Sequence, residues 1–216
     1  MRNANSTWLI GKPLKQDLEK ILKRDVLIEN DANCFAISEA FDGAGSRAHT
    51  VFGVILGTGV GAGIVIGKKL HKGKNKIAGE WGHNPLPWAN EGELPGKKCY
   101  CGRSGCLETF ISGPAIEREF KNLQGRNLNM KNIVEESGAG NLKAEQVIRN
   151  LEDRLARALA HVINILDPDS IVLGGGLSNI DRLYSNVPKI WAEYIFSDDV
   201  STELSKARFG DSSGCL

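Results

Sequence analysis

A histidine and three cysteines lie close together in the middle of this chain and restrict its fold more than any other feature. His83, in the segment GEWGHNP, precedes Cys99, Cys101 and Cys106, which all fall within CYCGRSGCLE. Thiolate and imidazole ligands at this spacing suit a tetrahedral Zn²⁺, and a set of four protein ligands is typical of a structural ion. Three unrelated cysteines in a loop are the alternative. We predict a zinc site that ties the surrounding loops together.

Two acidic residues flank the predicted ligands. Glu80 stands three residues before His83, and Glu108 stands two residues after Cys106. A metal that holds these loops would also hold the two carboxylates in place. A structural ion in this position can therefore shape a substrate pocket.

The apolar patterns along the chain predict an α/β protein. A short strand over Val26–Ile28 should lead into a helix near Asp31, and two apolar strands joined by a Gly-Thr-Gly turn should follow. A long amphipathic helix is predicted from Ala144 onward. A buried strand then runs into three glycines, and Ser178 is predicted to cap the next helix.

Two glycine-rich segments directly follow apolar strands. LGTGVGAG contains Thr58 and Gly59, and LGGGLSN contains Gly174, Gly175 and Gly176. Backbone N–H groups in such turns can approach a phosphate or a flat ring. Tight turns are the more common use of glycine after a strand, and neither segment has the spacing of a P-loop or a Rossmann motif. Together, and with an aspartate at a strand end, the two segments favour a nucleotide site.

Asp31 has two interpretations. An aspartate at the start of a helix most often serves as a cap for backbone N–H groups. It can also act as a general base that accepts a proton from a substrate hydroxyl while that oxygen attacks a phosphoryl group. Asn30, its neighbour, would then bind an adjacent hydroxyl. These residues alone leave both interpretations open.

Composition argues against several classes of partner and location. The 27 basic and 26 acidic residues are interspersed, so the chain offers no basic face for nucleic acid. No uninterrupted apolar run approaches 18 residues, and no apolar signal segment follows Met1, which argues against membrane spanning and secretion. The five cysteines are an odd number, and we expect Cys34 and Cys215 to stay reduced. We predict a cytoplasmic protein.

The segments ENDAN, LGTGVGAG, GEWGH, CYCGRSGCLE and LGGGLSN occur in an order that resembles the ROK family of sugar kinases and repressors. GEWGHNPLPW followed by CYCGRSGCLETFISG is most similar to bacterial fructokinases of the manno(fructo)kinase kind. N-acetylglucosamine kinases share the framework but differ after the GH. The resemblance covers nearly the whole chain and implies an actin-like, hexokinase-type (ribonuclease H-like) ATPase fold. Residues 1–48 would be the remainder of an incomplete N-terminal lobe, and residues 49–216 the C-terminal lobe with the zinc loop and the nucleotide motifs.

The resemblance also implies roles for individual residues. Asp31 matches the catalytic base, and the positions that bind sugar hydroxyls are Asn30, Glu80, His83 and Glu108. In His83, one ring nitrogen would bind zinc and the other would donate a hydrogen bond to the sugar. ATP would bind together with Mg²⁺, which bridges phosphate oxygens. The positions that match the family's second phosphate motif and its adenosine motif are Thr58, Gly59, Gly174, Gly175 and Gly176.

The implied reaction is ATP-dependent phosphorylation of a hexose, most closely fructose to fructose 6-phosphate, with mannose as a second substrate. A kinase for N-acetylglucosamine or glucose is the alternative, as is a non-catalytic sugar-binding module. A repressor is less favoured because those members carry an N-terminal helix-turn-helix. The family also implies a homodimer. Its opening Asp-x-Gly-Gly-Thr motif does not occur in this sequence, so we expect the chain as given to be an inactive fragment.

Overall fold

The computed structural model describes residues 11–210, and the chain divides into two compact units between Asn30 and Asp31. In its described residues the first unit contains one helix, α1 (Leu14–Leu22). The segment Val26–Ile28 has no regular secondary structure, so the strand predicted there is wrong. Apolar, branched residues favour a strand, but a strand forms only where a neighbour satisfies its backbone hydrogen bonds.

The second unit is built on a five-stranded mixed sheet with helices on both faces. The strands are β1 (Thr50–Leu56), β2 (Val60–Ile66), β3 (Lys69–Leu70), β4 (Ser170–Gly174) and β5 (Glu203–Lys206). The helices are α2 (Asp31–Phe41), α3 (Glu108–Ile111), α4 (Gly113–Gln124), α5 (Met130–Gly138), α6 (Leu142–Leu166) and α7 (Arg182–Trp191). The strand order is β3-β2-β1-β4-β5, with β4 parallel to β1 and β5, and with β2 antiparallel to β1 and β3.

The predicted hairpin and the predicted long helix are both confirmed. Leu56 pairs with Val60, which leaves Gly57, Thr58 and Gly59 as the turn between β1 and β2. Side chains alternate along the strands, so one sheet face joins a large core that includes α6, and the other face packs against α2. The apolar stripe of α6 is buried in that large core, as its periodicity predicts.

Helix α2 lies directly on the backbone of the sheet. A Cβ atom added to Gly53 would lie 2.7 Å from the Cβ of Ala36, and one added to Gly174 would lie 2.4 Å from the ring of Phe35. Glycine is needed at both positions because any side chain would push the helix away from the sheet. This close packing holds the first residue of α2, Asp31, against one end of the sheet.

Two local expectations from the sequence fail because of tertiary contacts. The apolar pattern of the segment that forms α2 makes Phe41 available to a core, but Phe41 is 60% exposed. Ser178 does not cap a helix, because its hydroxyl donates to the carbonyl of Gly175 at 2.7 Å within a short 3₁₀ turn. Helix α7 begins only at Arg182. Of the other two cysteines, Cys34 is reduced and half-buried, and Cys215 lies outside the described residues. None of the described helices combines the length and the apolar composition that a membrane span needs.

Helices α6 and α7 are joined by ion pairs that centre on Arg182. Its guanidinium donates to both carboxylate oxygens of Glu145, at 2.6 and 3.0 Å, and to both oxygens of Glu152, at 2.6 and 3.1 Å. These hydrogen bonds from Arg182 are the main reason that the pKa of Glu145 falls from 4.5 to about 2. The ionised carboxylate is therefore favoured in the folded state.

The Glu145 contact is expected to make folding depend on acid. Because its pKa is lowered on folding, its stabilisation is complete above pH 4.5 and is lost as the pH falls towards 2. Urea unfolding of Glu145→Gln should show an unfolding free energy about 1 kcal/mol lower at pH 7, after allowance for partial exposure, and a smaller decline below pH 4.5. The exposed Glu135→Gln serves as the control. An identical acid dependence in parent and Glu145→Gln would contradict the assignment.

Candidate functional site

The four predicted metal ligands come together in the second unit. The ligand atoms of His83, Cys99, Cys101 and Cys106 all lie within 4.8 Å of one another. His83 Nδ1 is 3.5 Å from the Sγ of Cys99, and the Sγ atoms of Cys101 and Cys106 are 3.6 Å apart. A tetrahedral zinc with bonds of about 2.3 Å to sulfur and about 2.0 Å to nitrogen needs ligand separations of roughly 3.5–3.8 Å. The donor set therefore fits a four-coordinate zinc ion.

The cysteine loop has the tight backbone that such a site requires. The N–H of Cys99 donates to the carbonyl of Arg103 at 2.8 Å, and the N–H of Gly102 donates back to the carbonyl of Cys99 at 3.0 Å. Gly102 and Gly105 both have positive φ angles, of 90° and 75°. Residues with a side chain rarely adopt these angles, so glycine allows the loop to wrap around the cluster.

The three thiols differ in acidity. Burial raises the pKa of Cys99 and raises that of Cys106 to about 12. A hydrogen bond from the backbone of Arg103 lowers the pKa of the exposed Cys101. A divalent cation would stabilise the buried thiolates and displace their protons. The cluster is therefore suited to a cation whose binding releases protons.

The other ring nitrogen of His83 already has a partner. Nε2 lies 2.9 Å from the hydroxyl of Tyr100, and the two rings meet edge to face with centroids 5.1 Å apart. In this structure the nitrogen that is predicted to contact a sugar hydroxyl contacts Tyr100, and its role towards a sugar stays a prediction. Sequence reasoning missed Tyr100, although its position between two predicted ligands was a signal.

A buried carboxylate fastens the loop that precedes the cysteines to α6. Arg157 donates to both oxygens of Glu93, at 3.0 and 2.9 Å, and to the carbonyls of Pro87 and Trp88. Burial would raise the pKa of Glu93, but hydrogen bonds from Arg157 and Arg154 outweigh it and hold the pKa below its usual value. The ionised Glu93 thus fixes the segment between the predicted ligands onto the core.

Two predicted sugar-binding residues are positioned by the first residue of β2. The N–H of Val60 donates to Glu108 Oε2 at 3.0 Å. A Cβ atom added to Gly82 would lie 2.1 Å from the carbonyl oxygen of Val60, so this glycine allows His83, the next residue, to approach β2. Glu80 begins the same short turn and is exposed. The sugar-site predictions of this unit therefore converge on one end of β2.

Asp31 lies at the same end of β2. Its Oδ1 accepts the N–H of Ala32 at 2.9 Å, and the Cβ of Ala32 lies 3.1 Å from where a Cβ on Gly61 would stand. One carboxylate oxygen thus has a backbone partner at the start of α2. Its role as a base stays a prediction. Asn30 is the last residue of the first unit, and its role in sugar binding also stays a prediction.

A cavity of about 780 Å³ opens beside the β1–β2 turn, which is a suitable size for a nucleotide. Two of the predicted nucleotide-binding residues, Thr58 and Gly176, line it. Gly59, Gly174 and Gly175 are not among its lining residues. The other lining residues include Gly57, Met130, Lys131 and Leu177.

Packing within the protein explains why three of the predicted nucleotide positions are glycine. A Cβ on Gly59 would lie 2.7 Å from Glu108 Oε2, and one on Gly174 would meet the ring of Phe35. Gly175 has a φ of 78°, and its Cβ would lie 2.5 Å from a carbonyl of β1. Contacts within the protein therefore account for glycine at these three positions.

Comparison with known proteins places the chain in a family. The model of the ROK family matches residues 1–216. The chain belongs to the ROK family. An N-acetyl-D-glucosamine kinase of Yersinia pseudotuberculosis serotype O:1b (strain IP 31758) is 38% identical to this ROK chain over 215 residues, which are 98% of the chain and 71% of that relative.

Solved ROK structures have the same fold. The ROK hexokinase from Thermus thermophilus superposes with a TM-score of 0.85 at 30% identity, over 95% of this chain and 67% of that one. A ROK family glucokinase from Streptomyces griseus, solved with glucose and AMPPNP, gives a TM-score of 0.82 at 28% identity, over 95% and 70% of the two chains. The chain therefore has the actin-like, hexokinase-type fold and is by family an ATP-dependent sugar kinase, as predicted.

Proposed function

We propose that the protein transfers the γ-phosphoryl group of ATP to a hydroxyl of a hexose. The strongest support is that the nucleotide-sized cavity and the contact to Glu108 both lie at the β1–β2 turn. Thr58 in the turn lines the nucleotide-sized cavity, and Val60, two residues later, binds Glu108. Phosphates in the cavity would therefore lie close to the carboxylates that bind the sugar.

The reacting groups follow from this arrangement. Asp31 accepts the proton of the attacking sugar hydroxyl, and the residues that bind neighbouring hydroxyls are Asn30, Glu80, His83 and Glu108. The backbone at Thr58 contacts the phosphates of ATP, together with its predicted partner Gly59. Gly176 faces the adenosine, with the predicted Gly174 and Gly175 directly before it. ATP brings Mg²⁺, which is held largely by phosphate oxygens and neutralises their charge during transfer.

Zinc in the His83 and cysteine cluster has a structural role in this proposal. All four ligands come from protein, which leaves no open position for a substrate or a water. The ion would hold the loop whose next residues carry Glu108, and would thereby orient the sugar site. The homodimer, the cytoplasmic location, the lack of a nucleic-acid partner and the lobe boundary after residue 48 stay predictions.

The identity of the hexose is the finer part of the proposal. The curated relative described above is named an N-acetyl-D-glucosamine kinase, and this supports N-acetylglucosamine as the substrate. The sequence GEWGHNPLPW with CYCG instead favours fructose, and mannose after it. Of the two, we propose N-acetylglucosamine first because its support comes from a relative aligned over 98% of the chain.

A panel of sugars tests this proposal. Calorimetry with N-acetylglucosamine, fructose, mannose and glucose should show N-acetylglucosamine binding at least about tenfold more tightly than the others, since a site that binds a polar substituent rejects sugars that lack it. ADP release from MgATP by the full-length gene product measures turnover. Preference for fructose would reverse the order of the two substrates. Binding without any turnover would indicate a sugar-binding module, and no binding of any hexose would refute the function.

A further inference from the structure

The cavity beside the β1–β2 turn has a polar part and an apolar part. Gly57 and Thr58 line the polar part, where backbone N–H groups of a glycine-rich turn can approach phosphates. The apolar lining residues come from α5 and from the segment after β4, and they are Met130, Val134, Leu177 and Ile180. A nucleoside triphosphate has the same two parts, and its ribose joins the phosphates to the flat base. A residue between the two parts of the cavity is therefore a candidate contact for the ribose.

Glu117 lies on α4 between these two parts of the cavity, which it lines. The N–H of Gly113, the first residue of α4, donates to the carbonyl of Gly57 in the turn at 2.9 Å. Glu117 stands four residues later, so it lies on the same face of the helix, about 6 Å farther along its axis. Its Oε1 accepts the N–H of Met130, the first residue of α5, at 2.9 Å. The carboxylate is thus one helical turn from the phosphate end and adjoins the apolar wall.

The carboxylate of Glu117 has one oxygen to offer a ligand. The residue is half-buried, and within residues 11–210 no hydrogen bond reaches Oε2. An ionised carboxylate accepts hydrogen bonds and donates none, and its charge opposes that of a phosphate. The donors of ATP are the two ribose hydroxyls and the amino group of the base. The ribose hydroxyls lie nearer to the phosphates, so they are the donors that fit this position.

We propose that Glu117 binds a ribose hydroxyl of ATP and thereby makes the protein select ribonucleotides over deoxyribonucleotides. This inference rests on the proposed sugar-kinase function and names a further specificity-determining residue of its nucleotide site. A hydrogen bond to an ionised acceptor is stronger than one between neutral groups. The N–H of Met130 already holds the carboxylate in place, so little side-chain freedom is lost when the nucleotide binds. A deoxynucleotide would leave Oε2 without its donor.

The variant Glu117→Gln tests the inference. Its amide oxygen can accept the N–H of Met130, which leaves the NH₂ group and no charged acceptor towards the ribose. Calorimetry without sugar, on the full-length gene product, compares MgATP with the magnesium complexes of 2′-dATP and 3′-dATP. The parent should bind ATP about tenfold more tightly than the weaker of the two deoxynucleotides. In Glu117→Gln this ratio should fall to about threefold or less, because both changes remove the same hydrogen bond.

Glu135→Gln is the matched control, because Glu135 also lines the cavity and its replacement removes the same charge. A weaker repulsion of the phosphates changes the affinity for all three nucleotides together, so the ratio should stay at the parent value in this control. Both variants should melt with the parent.

Three results would overturn the inference while the proposed function stands. They are equal binding of ATP and both deoxynucleotides by the parent, an unchanged ratio in Glu117→Gln, and an equal fall of the ratio in Glu135→Gln. A parent that binds no nucleotide at all would refute the proposed function and this inference with it.

Discussion

Cys101→Ser is expected to abolish stoichiometric zinc binding and to lower the thermal stability of the protein. The parent should contain about one zinc per chain, because four protein ligands complete a tetrahedral ion. The variant leaves three ligands and two buried thiols, and the binding energy of the ion is part of the folding energy of its loops. We expect a loss of about 3 kcal/mol, which for a chain of this size lowers the melting temperature by roughly 6–12 °C.

Cys101 is the best ligand to replace because its side chain is exposed, so serine removes a metal ligand without a cavity in the core. Cys34→Ser is the matched control, since Cys34 lies outside the cluster on α2. Elemental analysis and thermal melts of freshly purified, reduced protein are the measurements. A parent without zinc, or a Cys101→Ser variant that retains one zinc and melts with the parent, would rule out the structural metal site.

Asp31→Asn is expected to reduce phosphoryl transfer by about a hundredfold or more in the full-length gene product. The amide keeps the size of the side chain and an oxygen that can accept the N–H of Ala32, so α2 should begin as before. It cannot take a proton from the sugar hydroxyl. Sugar affinity and melting temperature should change little, while kcat in a coupled ADP assay should fall.

Asp42→Asn is the matched control for this experiment. Asp42 is an exposed carboxylate just beyond the other end of α2, so its replacement changes the charge by the same amount far from the proposed base. Turnover of Asp42→Asn should equal that of the parent. If Asp31→Asn retains turnover within a few-fold of the parent, Asp31 is a capping residue and the proposed base must be another group.

Much of the second unit could be predicted from the sequence because its signals are local. The stripe of apolar residues along α6 repeats with the helical period, and the Gly57–Gly59 turn stands between two runs of strand-forming residues. The cluster of His83 with the three cysteines was also predictable, since the cysteines lie within eight residues of one another. Helices α4 and α5 were not predicted, and the loop from Lys68 to Gly113 contains little regular structure.

The failures share a physical cause, which is dependence on contacts with distant residues. Val26–Ile28 has the composition of a strand, but ladder hydrogen bonds come from a partner and not from the segment itself. Ser178 can cap a helix or bond to Gly175, and the surrounding turn determined which. Phe41 is the last residue of α2 and stays exposed, although Phe35, Ala36 and Ala40 of the same helix are buried.

The sequence by itself determined the α/β class, the family and the members of the His83 and cysteine cluster, because each depends on residue types at short spacing. Only the tertiary structure decided that Gly174 makes room for Phe35, that Val60 holds Glu108, and that Tyr100 takes the second nitrogen of His83. These contacts join segments up to 139 residues apart, as between Phe35 and Gly174. Such pairs depend on side-chain direction and on close packing in three dimensions, and the local sequence pattern specifies neither.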